Sequence, residues 1–396
     1  MSSHDEFFNT KQAEAVFKHG ILKRYPVVFA SKTGSAVDGG RVVFLDGYAG
    51  RGEYRDGSPG SPLLLSQAAE FLQGSRDVLG FFVEQDDDSF ANLERVLRDK
   101  GGPANFEVRH GSVDDHLSEL LTLSGGASLF AFLDPFGPAL DFNIIKSSLL
   151  GRPKWPPTEV LLHFSVLSVA RMGRAVHAAR QSNGALSADD GKTAARLDRF
   201  LDGGWWKDYF ARVHDDGDEQ KATDVAMRVC AEYQQRLTAG TRYQAISMPV
   251  RPRPDLAPKY VLMLLTADSE GAWCFADALG RAGRDWTAAW FTERMKREGP
   301  AGQGSLFGET PVFDHNQYEV DNRDVWTRTI AANIEALLAH GDPFKLSDRV
   351  PEVYGTVLGQ AWERHVKAAV KLLHSSRKID HDGKGKYFFR DLLHRG

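Results

Sequence analysis

The feature that most restricts the fold is a series of short apolar runs, each closed by an acid or a glycine and each followed by an amphipathic stretch. Val42–Leu45 ends in Asp46, Leu79–Val83 ends in Glu84, and Leu129–Leu133 ends in Asp134-Pro135. Phe106–Val108 and Glu159–Phe164 are further runs of this kind, and Tyr260–Leu265 comes later. Helix-like segments such as Leu63–Phe71 and Asp88–Arg98 lie between them. A strand buried on both faces reads as a continuous apolar run, and alternation with helices predicts βα units around a parallel sheet. The expected fold class is α/β, with a Rossmann-like doubly wound sheet.

The 396 residues exceed one small module, since domains run to roughly 100–200 residues. Residues 1–40 read as an N-terminal helical segment and 41–296 as the sheet domain, with a helical insertion at about 171–245. Pro249–Pro258 is a Pro/Arg-rich connector, and 297–341, which begins Gly-rich, reads as a linker and helix. Residues 342–396 carry 11 Lys/Arg against 7 Asp/Glu, whereas the whole chain has a net charge of -4. Helices followed by a basic β-hairpin around Asp382–Lys386 predict a winged-helix-like unit there. Arg377, Lys378, Lys384 and Lys386 are its candidate nucleic-acid contacts, beside Tyr387 and Phe388. Winged-helix units also serve as protein-interaction modules, so both uses stay open.

Cys230 and Cys274 are the only cysteines and lie far apart in apolar surroundings, which predicts reduced, buried thiols and no metal site. The first twenty residues lack the apolar core of a signal peptide, and no apolar run reaches the ~18 residues of a membrane span. The expected location is the cytoplasm.

The chemistry concentrates at the strand ends. Asp46-Gly47-Tyr48-Ala49-Gly50-Arg51-Gly52 is a strand feeding a glycine-rich turn, the place where a doubly wound sheet binds ligands. Glu84, at the end of the second run, is placed to accept hydrogen bonds from ribose hydroxyls, or else is a solvated acid before a helix whose start carries Asp86, Asp87 and Asp88. After the third run, Gly111-Ser112-Val113-Asp114-Asp115 offers a polar contact to an adenine amino group, with Asp114 or Asp115 alternatively capping the next helix. Asp134, Pro135 and Phe136 form an acid, a stiffened turn and an aromatic that would hold and stack an amino-bearing base, or else are a plain strand-ending turn with Phe136 in the core. Ser61 is either a helix cap or part of a pocket wall. His163 and Arg171, at and after the fifth run, lie on the expected ligand side with Ser165 nearby, or else have only a structural role, since none has a partner visible in sequence. Lys11, Lys18 and Lys23 are phosphate or carboxylate contacts, or a solvated helix face.

This ordered set resembles the class I S-adenosylmethionine-dependent methyltransferases: DGYAGRG is similar to their cofactor loop, and DPFG to the tetrapeptide of amino-methylating members, nearest the tRNA guanine-N2 enzymes. More specifically, KHGILKRY, FLDGYAGRGEYRDGSPGSPLL, FLDPFG, HFSVLSVARMGR and YVLMLLT resemble the three-Cys-motif partner protein family (TcmP), over most of the chain but loosely in its C-terminal third. The resemblance implies a methyltransferase-like fold and S-adenosylmethionine as cofactor. Asp46, Gly47, Tyr48, Ala49, Gly50, Gly52, Glu84, Ser112 and Asp114 would then bind the cofactor, Asp134, Pro135 and Phe136 would be catalytic, and Ser61, His163 and Arg171 would face substrate. It also implies a partner carrying three cysteines, similar to radical S-adenosylmethionine enzymes. The family's usual Gly-Asp after the third strand is Gly111-Ser112 here, and Asp114 is the substitute. The expected function is methyl transfer to an amino group of a nucleobase-type substrate. The alternatives are a non-catalytic partner or regulator on the same scaffold, a nucleic-acid-binding regulator acting through residues 342–396, and catalysis on a small metabolite, which fits the acidic main body.

Overall fold

The computed structural model describes residues 13–101, 105–135, 137, 140–211, 219–298 and 312–396. By its internal contacts the chain forms two compact units: residues 26–267, and residues 12–25 with 268–396.

The first unit is built on a sheet in the order β3-β2-β1-β4-β5-β7-β6. These strands are β1 (Arg41–Asp46), β2 (Asp77–Glu84), β3 (Asn105–His110), β4 (Ser128–Leu133), β5 (Thr158–Ser165), β6 (Gln244–Val250) and β7 (Tyr260–Thr266). The pairs from β3 through β5 are parallel, and β7 runs antiparallel between β5 and β6. This is a Rossmann-like doubly wound sheet whose order reverses between β1 and β4, where such folds bind ligands. β4 is buried along its whole length, and only Arg41 of β1 is exposed. Two parallel neighbours and helices on both faces leave those strands no solvated side, hence their continuous apolar runs.

Helices α1 (Ala13–Leu22) and α2 (Tyr25–Thr33) precede the sheet in sequence; α3 (Ser61–Leu72), α4 (Asp87–Lys100) and α5 (Val113–Leu123) are its crossovers. After β5 come α6 (Val166–Gln181), α7 (Ala188–Phe200), α8 (Trp206–Ala211) and α9 (Glu219–Thr238). Phe164, Phe200 and Tyr233 pack ring to ring beneath them, with Trp206 fully buried nearby in the same core. Cys230 is buried in that core, which pushes its thiol pKa far up, whereas Cys274 is partly exposed, contrary to the expectation of two buried thiols.

The second unit contains α10 (Ser269–Glu298), which packs along α1, followed by α11 (His315–His340), β8 (Phe344–Lys345), α12 (Val350–Tyr354), α13 (Glu363–Ser375) and β9 (Leu392–Leu393). The basic hairpin expected around Asp382–Lys386 is not there: those residues have no strand structure. The pairing lies further out, at the Ile379–Arg395 bridge and between β8 and β9. Left-handed Gly383 and Gly385 shape the broad loop between the bridged residues, and Asp382 turns back to bind the Lys384 amide and ammonium. Lys18, expected on a solvated face, is buried; Lys23 is exposed, and Lys11 lies outside the described residues. No helix among the described residues is long and apolar enough to cross a membrane.

His365 sits among aromatic rings, 5.0 Å from Trp326 and 4.4 Å from Trp362. Its Nδ1 accepts the Trp362 amide, and its Nε2 is 3.4 Å from Glu319, a carboxylate already engaged by Arg364. Desolvation, reinforced by Arg364, pushes its pKa down to about 4 from 6.5, against the opposing pull of Asp277. The folded state therefore holds the neutral ring and the unfolded chain binds the extra proton as pH falls below 6.5. Stability from this group is full above that pH and is lost as pH drops toward 4. We expect about 2 kcal/mol less stability at pH 5 than at pH 7 from His365 alone. Urea denaturation at both pH values checks this; His365→Leu should remove that part of the pH dependence, and an unchanged difference would assign it elsewhere.

Candidate functional site

Strand register gathers the acids. Asp46 is level with Phe82 on one side and Phe132 on the other, so Glu84 and Asp134 each stand two residues beyond it on the flanking strands. Asp46 is 0 % exposed, and its Oδ1 accepts the Tyr48 amide at 3.1 Å, closing a tight turn on itself. The loop is tied to both neighbours: the Gly47 amide donates to Phe132 O and the Ala49 amide to Val83 O. A Cβ on Gly47 would fall 2.9 Å from Leu133 Cδ2 and 3.1 Å from Val113 Cγ2, so any larger residue would have to displace these side chains of β4 and α5. Gly50 differs. Its φ of +63° is left-handed, and nothing lies within 4 Å of where its Cβ would be. The loop there turns its backbone toward open space. Gly52 is also left-handed but packs against Leu93 and Val96 of α4.

Glu84 is bound into this loop. Its Oε2 accepts the Gly50 amide at 2.7 Å and its Oε1 the Asp86 amide at 2.7 Å. Hydrogen bonds to an ionised carboxylate are short and strong, so the group is oriented from both sides. Each oxygen still has acceptor capacity, because a carboxylate offers about four lone-pair sites. The reading of Glu84 as a solvated acid is thus replaced by a strut joining the ends of β1 and β2; Asp86 caps α4 by accepting the Ser89 amide.

At the end of β3, Ser112 caps α5, so neither Asp114 nor Asp115 is the cap. The Ser112 hydroxyl donates to the Asp115 carboxylate at 2.6 Å and accepts its amide at 3.4 Å, which engages it within the turn. Burial raises the Asp114 pKa, with Asp115 and Asp141 adding and Arg199 opposing. Tyr48 feels the same carboxylate: burial first, then Asp114, push its phenol well above the ordinary range. Tyr48 also has a backbone hydrogen bond with Leu140, connecting the glycine loop to the turn after β4. His110, which belongs to no motif, lies against Phe90 at 4.7 Å and pairs with Asp87 at 2.9 Å.

Beyond β4, Asp134 is 15 % exposed and its Oδ1 lies 3.9 Å from Nδ1 of His163, itself 13 % exposed. The His163 ring is 4.5 Å from that of Tyr260. Tyr260 enters through the antiparallel pairing that sets it opposite Ser165. No sequence signal marked it, because its neighbour on β5 is distant in the chain. Ser165 caps α6 and donates to the Ser168 hydroxyl at 2.8 Å. Arg171 is exposed on the second turn of α6. Pro135 follows Asp134 directly, and Phe136 lies outside the described residues. Ser61 is not a cap: Gly60 is the N-cap of α3, and Ser61 is its first helical residue.

Asp46, Gly47, Tyr48, Ala49, Gly50, Glu84, Asp134 and His163 therefore share the carboxyl edge of the sheet. The four basic tail residues belong to the other unit. There Lys378 pairs with Glu335 at 2.7 Å and Lys384 with Asp382 at 2.8 Å, Arg377 has a left-handed backbone, and Lys386 lies over the Tyr387 ring.

No protein-family model matches the chain, and no curated protein matches it in sequence. Among solved structures it is similar to the O-methyltransferase TomG from Streptomyces achromogenes, involved in tomaymycin synthesis and solved in complex with SAM. The identity is 14 %, the match covers 63 % of this chain and 80 % of that one, and the TM-score is 0.32. The assignment of a Rossmann-like sheet rests on the strand order and register of this chain itself.

Proposed function

We propose that the chain is an S-adenosylmethionine-dependent methyltransferase acting on an amino group of a nucleobase-type substrate, together with a three-Cys-motif partner. One observation carries the reading: the Glu84 carboxylate is locked against the Gly50 amide, beside open space over Gly50, between Asp46 and the β2 end. An acid with spare acceptor sites at the end of β2 suits a ribose diol, and a glycine backbone facing open space suits close approach of a nucleoside-linked ligand. When bound, S-adenosylmethionine supplies a methyl group already electrophilic on its sulfonium. The chain's own work is then positioning. Asp134 accepts from the substrate N–H and aims the nitrogen lone pair. Pro135 stiffens the turn that holds it, and His163 and Tyr260 wall the niche with flat rings.

The partner and the amino acceptor are supported by the motif resemblance, through FLDPFG and the block from Phe44 to Leu64. The order α11, β8, α12, α13, the Ile379–Arg395 bridge and β9 supports a winged-helix-like reading of the C-terminal unit, suited to docking a macromolecule.

Calorimetry with S-adenosylmethionine and S-adenosylhomocysteine tests the proposal before any substrate is known. Both should bind, and Glu84→Gln should weaken them by at least ~10-fold, because an amide turns a donor toward one of two backbone N–H groups that need an acceptor. Absence of binding by the native chain would sink the reading.

A further inference from the structure

The edge of the sheet beyond β5 carries a surface that the cofactor site does not use. The loop between β6 and β7, residues 251–259, lies at the same carboxyl edge as Asp134, because Val250 and Ser165 both pair with Tyr260. It touches the start of α6, where the Leu167 amide donates to Lys259 O at 3.1 Å. Both segments are cationic. From residue 160 to residue 188 there is no Asp or Glu, while Arg171 and Arg174 fall on α6. The loop contributes Arg251, Arg253 and Lys259 against one acid, Asp255. Asp255 binds Arg253 at 3.2 Å, and Arg251 donates to Leu256 O, which holds the loop in shape. In a chain of net charge -4 this is a local reversal of sign.

The geometry suits an extended ligand. Leu167, Arg171 and Arg174 follow one another at i, i+4 and i+7, hence on one helix face. Leu167 is 49 % exposed and Leu256 38 %, large apolar side chains on the same rim. The N-terminus of α6 adds its partial positive charge at Ser165. Cations in a row with interspersed apolar contacts fit a phosphate backbone, whose charges recur along a strand.

We propose that this rim, α6 from Leu167 to Arg174 with the 251–259 loop, docks the phosphate backbone of a nucleic acid and leads one base toward Asp134 and His163. The last part rests on the methyltransferase reading; the docking itself does not.

The experiment uses the full chain and two labelled probes, a 20-nucleotide single-stranded RNA and a 20-base-pair DNA duplex, followed by fluorescence anisotropy across a salt series. At least one probe should bind, and for a single strand with three or four contacts log K should fall with log salt at a slope of roughly -2 to -3. The preferred probe identifies the nucleic acid. The double variant Arg171→Glu, Arg174→Glu, which leaves the Arg253–Asp255 pair of the loop intact, should bind at least 30-fold more weakly at low salt and with a flatter slope. Its unfolding midpoint and its calorimetric affinity for S-adenosylmethionine should match the native chain. Native-like binding by that variant, or no binding of either probe by the native chain, overturns the proposal. If the native chain binds nucleic acid as described but not S-adenosylmethionine, the methyltransferase reading falls and the docking surface stands.

Discussion

Asp134→Ala should lower methyl transfer by about 10³-fold while leaving the affinity for S-adenosylmethionine within ~3-fold of native. The split follows from where the side chain stands. The cofactor is assigned to the loop Asp46–Gly52 and to Glu84, all on the β1–β2 side of the switch point, whereas Asp134 follows β4 and faces His163. Removing its carboxylate takes away the acceptor proposed to fix the substrate nitrogen and leaves His163 without its acidic neighbour. Nothing on the Gly50–Glu84 strut changes. Asp134→Asn keeps the shape and one acceptor oxygen, so its loss should be smaller, about 10- to 100-fold. Release of S-adenosylhomocysteine in the presence of RNA, DNA or the partner reads the rate, and calorimetry reads the affinity. If the Ala variant loses both in equal measure, Asp134 is part of the cofactor site and this division of labour is wrong.

The strand ends that support this argument were readable in advance because each is local. Val42–Asp46, Leu79–Glu84 and Leu129–Asp134 are continuous apolar runs meeting an acid, and a buried parallel strand has few other ways to appear in a sequence. Edge elements hid. In β6 only Ile246 and Val250 are buried, so it shows neither a continuous apolar run nor a clean alternation, and its end at Pro249 falls in the segment that reads as a connector; its identity as a strand depends on pairing with β7. That pairing turns the Pro/Arg-rich segment into a loop beside the site and brings Tyr260 against His163. Ser112 shows a different limit. Asp114 and Asp115 read as the candidate caps of the next helix, whereas the cap is the serine before them, a choice made by local backbone geometry that side-chain type alone does not reveal. In the tail, the bridge between Ile379 and Arg395 spans a loop too long for turn chemistry to announce, whereas the glycines at 383 and 385 mimic a tight hairpin turn.

Gly50→Val should weaken S-adenosylmethionine binding by at least 100-fold, or ~2.7 kcal/mol. Two effects must be separated. The left-handed φ of +63° costs any L-residue roughly 1–2 kcal/mol, which strains the loop whether or not a ligand is present. The second effect is occupation of the open space over Gly50, which matters only if that space receives the cofactor. Gly240 supplies the control. Its φ is +72°, nothing lies within 4 Å of its Cβ position, and it precedes β6 at the opposite edge of the sheet. Gly240→Val should thus lower the unfolding midpoint about as much as Gly50→Val and leave the affinity unchanged. Gly50→Asn makes the distinction sharper, since Asn tolerates the left-handed region but still fills the space. It should fold nearly as well as the native chain and bind almost as poorly as the Val variant. Native affinity in the Asn variant would mean that the space over Gly50 receives no ligand, and the Glu84 carboxylate would then be only a strut between two loops.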